Sequence, residues 1–157
     1  MKLPCFWIFG AAVLVSNTAI AQLPSWNPEQ TAVWEFVEQS WVDDVAENDQ
    51  WPASYVHEKV VDWGDSQVAP RGRDKLTEWS RFDDESSNVL YYEITPAAIV
   101  VEDDTAVVHY HLFIITEDHA DERDTSVLGL VETLVRQNGD WRYISLSGFE
   151  PRLNDDD

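Results

Sequence analysis

Apolar residues recur at helical spacing in the first half of the chain and alternate with polar ones in the second. Asn27-Pro28-Glu29-Gln30 has the form of a helix start, with Asn27 as cap, Pro28 at the first helical position and Gln30 three residues after the cap. Trp34, Val37, Trp41 and Val45 follow at helical spacing, which predicts an amphipathic helix ending near Asn48. A short second helical segment is expected over 49–55 and an extended one over 55–63. Residues 64–72 collect Gly, Asp, Ser and Pro and form a loop. Helical spacing resumes from Arg73 to about Asp84, where Leu76, Trp79 and Phe82 fall three apart and share one face. From Val89 the period is that of strands: 89–95, 97–102, 105–117, 125–137 and 141–148. Asp103-Asp104 and Asn138-Gly139 read as compact hairpin turns, the second with the residues that a type I′ turn requires. Three helical segments followed by a meander make an α+β structure, with helices on one face of an antiparallel sheet. Residues 117–124 form an acidic connection, and 154–157 an acidic tail.

A two-residue turn at Asn138-Gly139 puts Leu134 opposite Tyr143, Glu132 opposite Ser145 and Leu130 opposite Ser147. The other face of this hairpin carries Val131, Thr133, Ile144 and Leu146, so both faces are largely apolar. Helices cover one face of such a sheet. The other calls for a partner, most simply a second copy of the chain, so a homodimer is expected.

The first 21 residues change the picture of where the protein works. Lys2, the apolar run from Phe6 to Val15 and Ala19-Ile20-Ala21 have the pattern of a cleaved secretory signal, so a mature start at Gln22 and a periplasmic or secreted location are expected. The run is too short to span a bilayer, and no membrane association is expected once it is removed. The lone Cys5 leaves with it. The remaining 136 residues then have no disulfide, thiol nucleophile or thiolate metal site, and suffice for one domain with a real core. Ten basic and 30 acidic residues give a formal charge of −20. A surface this acidic repels polyanions, which excludes nucleic acid as a partner.

The order of segments has a familiar pattern. It runs through Tyr55-Val56-His57-Glu58, Pro70-Arg71-Gly72-Arg73-Asp74, a helix with Trp79, Asp103-Asp104-Thr105-Ala106-Val107-Val108, and Val135-Arg136-Gln137-Asn138-Gly139-Asp140-Trp141. This order and spacing resembles the SnoaL-like branch of the nuclear-transport-factor-2-like superfamily across nearly the whole mature chain, 22–153. The resemblance implies a conical fold, a curved sheet wrapped around the long N-terminal helix, with a pocket at one end and dimers formed through the sheet. Members include isomerases, cyclases, dehydratases, hydrolases and non-catalytic binding or assembly domains, so no single activity is implied.

Glu132 interrupts Leu130 and Leu134 on a face that the resemblance turns toward the pocket, where a desolvated carboxylate becomes a general base. The competing reading is a solvated or arginine-paired strand residue. Ser145 and Ser147 stand where some members carry pocket histidines, which removes one common source of pocket chemistry. His57 and Asp62 are candidate proton-exchange partners in a region that contributes pocket residues in this family; each also reads as an ordinary half-exposed side chain. Tyr110 and Tyr143 are candidates to polarise or line, with Tyr55, Leu130 and Leu134 beside them. Trp41, Trp63 and Trp79 are candidate aromatic walls or simply core. His109 and His111 point to one face at the spacing of a strand-borne metal pair, but a third ligand is missing and His119 lies in the acidic loop. We therefore expect no metal. No phosphate-cradling glycine loop or nucleophile elbow occurs, and no cofactor is implied. The residues favour an exported pocket protein for a small, fairly apolar ligand with acid–base chemistry; the alternative is a non-catalytic binding or assembly module.

Overall fold

A computed structural model describes residues 25–65 and 67–151; the expected signal, its cleavage site and the acidic tail lie outside the described residues. Helix α1, Pro28–Val45, starts with the expected capping box: Gln30 N donates to Asn27 Oδ1 at 2.9 Å and Asn27 N to Gln30 Oε1 at 3.0 Å. Gln30 Nε2 also donates to Ile99 O at 2.7 Å, which ties the helix start to the sheet. Its buried stripe is Val33, Trp34, Val37 and Ser40.

The helix ends three residues before Asn48, and the short helical segment expected over 49–55 does not form. Glu47 and Asp49 have φ of 49° and 62°, and Pro52 has no N–H to donate and biases Trp51 away from helical backbone. The segment closes instead with turns, Ser54 N donating to Gln50 O at 2.8 Å and Tyr55 N to Pro52 O at 3.0 Å. Strand β1 is Val56–Asp62 and helix α2 is Arg73–Ser86. The meander follows as β2 Ser87–Glu102, β3 Thr105–Asp118, β4 Arg123–Gln137 and β5 Asp140–Phe149.

The sheet order is β1-β5-β4-β3-β2, and β1 runs parallel to β5, so the sheet is mixed rather than wholly antiparallel. The two segments expected on either side of Pro96 are one strand. Because β2 lies at the sheet edge, a residue without an N–H is tolerated there. Register shifts at Val89/Tyr91 and Pro96/Ala98 leave Leu90 and Ala97 unpaired, and such bulges bend a strand. Asn138 and Gly139 have φ of 57° and 94°, as a type I′ turn demands.

Beyond that turn the expected pairing holds only as far as Leu134↔Tyr143. A shift between Thr133 and Leu134 then puts Glu132 opposite Leu146, Val131 opposite Ser147 and Thr133 opposite Ser145. One extra residue on β5 thus takes Ser145 and Ser147 out of the expected pairing with Glu132 and Leu130 and sets them opposite Thr133 and Val131. Between β3 and β4 the pairs Val108↔Glu132, Tyr110↔Leu130 and Leu112↔Leu128 bring Tyr110 and Leu112 to the helix-covered face. His109 and His111 go to the outer face.

The core between α1 and the sheet is built on Val33, Val37, Val108, Tyr110, Leu134 and Tyr143, all essentially inaccessible. The outer face is open, with Val100, Val127 and Phe149 exposed. There the Phe149 ring lies directly on Gly129, where an added Cβ would come within 2.4 Å of the ring and push this exposed side chain aside.

Candidate functional site

Strand alternation alone carries Glu132 into the interior, between Leu130 and Leu134 on the central strand β4. Its carboxyl is buried, and one oxygen, Oε1, accepts from the Tyr110 hydroxyl at 2.9 Å. Tyr110 in turn accepts from Trp41 Nε1 at 2.8 Å, so helix α1 orients the phenol that orients the carboxyl. On the other side the Tyr143 hydroxyl and Ser40 Oγ are 2.9 Å apart, and Ser40 Oγ also donates to Val37 O at 2.8 Å. Glu132 Oε2 is buried without a hydrogen-bond partner. Burial pushes the Glu132 carboxyl up to about 7, opposed by Tyr110 and, more weakly, by Tyr143, whose own hydrogen bond goes to Ser40. Burial, with the Glu132 charge next in weight, holds both phenols well above their usual range, so they remain donors.

Glu132 lies on the wall of a cleft of about 200 Å³ lined by Leu112, Leu128, Leu130 and Leu146, with Trp41 and Trp51 from the helix side. The cleft adjoins a wider compartment of about 420 Å³, which Trp79 and Arg71 border and whose lining also includes Trp41, Asp44 and Leu112. A largely apolar cleft onto which a few polar groups converge has the character of a small-molecule site.

Of the residues singled out from sequence, the structure brings Glu132, Asp62, Trp41 and Leu130 to the inner cleft and Trp79 to the outer compartment. Tyr110, Tyr143 and Leu134 lie behind Glu132 in the core. Asp62 accepts from Gln67 Nε2 at 2.9 Å and sits 3.8 Å from Arg71 Nε. Ser147 borders the cleft, but its hydroxyl donates to Trp63 O at 2.9 Å. Four candidates fall elsewhere. His57 lies half-buried outside the cleft, its Nδ1 accepting from Lys59 N at 3.0 Å, because alternation along β1 turns it from the face of Val56 and Val60. Tyr55 is buried but donates its hydroxyl to the Asp43 carboxylate, Trp63 is exposed, and Ser145 is on the outer face. His119 Nε2 is 2.6 Å from Glu85 O, and among the described residues no group of three or more His, Cys, Asp or Glu is arranged to hold a metal ion.

The site also holds residues that the sequence reading passed over. Asp44 faces both compartments, and burial first, then the charges of Asp84, Asp83 and Glu47, push its carboxyl up to about 7. Burial raises Asp83 and Asp84 as well. A signal for Asp44 was present: it stands three residues after Trp41, four after Ser40 and seven after Val37, in line with the buried stripe of α1.

No family model and no curated protein matches the sequence. Solved structures do match. A ketosteroid isomerase-like protein from Erwinia carotovora atroseptica SCRI1043 has a TM-score of 0.71 at 13% identity, over 82% of this chain and 100% of that one. An NTF2-like protein of unknown function from Rhodospirillum rubrum ATCC 11170 has a TM-score of 0.66 at 10% identity, over 76% and 98%. The association domain of C. elegans CaMKII has a TM-score of 0.56 at 11% identity, over 78% and 98%. The fold is the NTF2-like α+β cone, a helix on a five-stranded mixed sheet.

Proposed function

We propose that the chain is an exported protein of the SnoaL-like branch, whose cleft binds a small, fairly apolar molecule and whose Glu132 moves a proton on it without a cofactor. The observation that carries this reading is Glu132 Oε2, a buried oxygen without a partner at an apolar cleft, on a carboxyl held near 7. A group with that affinity takes up and returns a proton at neutral pH with little driving-force penalty. The ionised carboxylate removes a proton from a carbon or hydroxyl of the ligand through Oε2, Tyr110 holds Oε1 in place, and the same proton is returned to a second position. Isomerase, cyclase and dehydratase reactions share this step.

A probe for such a base is 5-nitrobenzisoxazole, whose ring opens when one C–H proton is removed. The protein is expected to open it with saturation kinetics and a rate that rises as pH passes through about 7. Glu132→Gln is expected to lower the rate about 100-fold or more. An unchanged rate in Glu132→Gln would overturn the catalytic reading and leave simple binding.

Export and self-association belong to the same proposal. N-terminal sequencing of exported material is expected to begin at Gln22, and a start at Met1 would refute export. The exposed Val100, Val127 and Phe149, together with the likeness to an association domain, support a homodimer through the outer sheet face. Sedimentation of the mature chain checks this, a monomer at micromolar concentration being the adverse result.

A further inference from the structure

The charged side chains around the cleft are nearly all of one sign. Asp44, Asp62 and Glu132 line the inner part, and Glu47, Asp83 and Asp84 the outer. Among the described lining residues the only basic side chain is Arg71, and it is already engaged, with Nε 3.8 Å from Asp62 and the guanidinium 4.5 Å over the Trp79 ring. An anionic ligand would meet six carboxyls and no free cation, three of the carboxyls on the exposed rim. Acidic residues at a rim are commonly just a solvated surface. Here a separate feature points inward: Glu132 Oε2, deep in the same cleft, is a buried acceptor that no protein donor fills.

The walls agree with this sign. Trp41, Trp51 and Trp79 flank the compartments, and indole faces are the best aromatic partners of an organic cation. Trp79 already carries one such cation in the guanidinium of Arg71. A bare metal ion would not use these walls, and the described carboxyls are not grouped to coordinate one.

Building on the pocket reading above, we propose that the ligand is an organic cation: an apolar body bearing a protonated or quaternary amine. The apolar part lies against Leu112, Leu128 and Leu130, and the ammonium sits between the tryptophan faces and Asp44, which leaves Glu132 Oε2 open to a proton of the ligand's apolar body.

The test compares three probes of one shape by titration calorimetry on the full mature chain: benzyltrimethylammonium, its neutral isostere neopentylbenzene, and the anion phenylacetate. The cation is expected to bind about tenfold or more tighter than the neutral isostere, and phenylacetate not at all. Asp44→Asn is expected to weaken the cation about tenfold while leaving neopentylbenzene unchanged, and Trp79→Leu to weaken it with Asp44 intact. Asp103→Asn, far along the hairpin, controls for attraction to the acidic surface at large and is expected to change nothing. Equal binding of the cation and the neutral isostere would overturn the cation assignment but keep the apolar pocket. Binding of none of the three would overturn both, and an equal loss in Asp44→Asn and Asp103→Asn would reduce the effect to surface charge.

Discussion

Truncation of Leu134 to alanine is expected to destabilise the protein by about 3–5 kcal/mol, the upper part of the range for buried leucines. Leu134 has no accessible surface, pairs with Ala106 on one side and Tyr143 on the other, and belongs to the core that holds Val33 and Val37 of α1. Collapse around the missing atoms is hindered, because β4 is fixed by hydrogen-bonded strands on both flanks and Ala106 is too small to fill the gap. The cavity therefore stays largely open. Urea unfolding monitored by tryptophan fluorescence measures the loss, with an unchanged m-value showing that the two end states are the same. A loss below about 1 kcal/mol would mean that α1 does not pack on this part of the sheet. Val127→Ala, on the exposed outer face, provides the contrast, expected within about 0.5 kcal/mol for an isolated chain.

The elements that could be read from the sequence were those with an uninterrupted period. The helix start at Asn27, α2, the hairpin at Asn138-Gly139 and the long strands all follow from local spacing and turn chemistry. The failures occurred where a single residue broke the period. The extra residue on β5 reversed Ser145 and Ser147, an event that no alternation pattern marks, since Ile144 and Leu146 are both apolar. Glu132 still reached the interior because its own strand is unbroken from Val127 to Val135, whatever its partner does. The bond from Tyr110 to Glu132 depends on the register between β3 and β4, which the long connection of residues 117–124 does not fix as a two-residue turn would. The acidic rim was hidden for another reason. Asp83 and Asp84 belong to α2 and Asp44 to α1, so their proximity is tertiary, and charge alone made them look like solvated helix faces.

The largest pH effect is expected from the same buried carboxyl. The Glu132 carboxyl sits near 7 in the folded protein against 4.5 as its ordinary value, so the folded state holds a proton that the unfolded chain releases. Its contribution to stability is then fully present below about 4.5, declines as pH rises, and is lost above about 7. Over that window the shift corresponds to roughly 3 kcal/mol, the difference between a neutral and an ionised carboxyl among apolar neighbours. Asp44 acts in the same direction, although the part of its shift due to exposed neighbours is weakened by salt. Self-repulsion in a chain of formal charge −20 adds a further decline with pH, so the wild-type curve alone assigns nothing to Glu132. The difference from Glu132→Gln does. The amide keeps an acceptor for Tyr110 and cannot ionise, so the variant is expected to match or fall slightly below wild type at pH 4.5 and to exceed it by about 1–3 kcal/mol at pH 8. Urea midpoints from pH 4.5 to 8.5, taken at fixed ionic strength, would show the two curves crossing. Curves that stay parallel throughout would mean that Glu132 ionises as freely in the fold as outside it, and the near-neutral base proposed for the cleft would go with it.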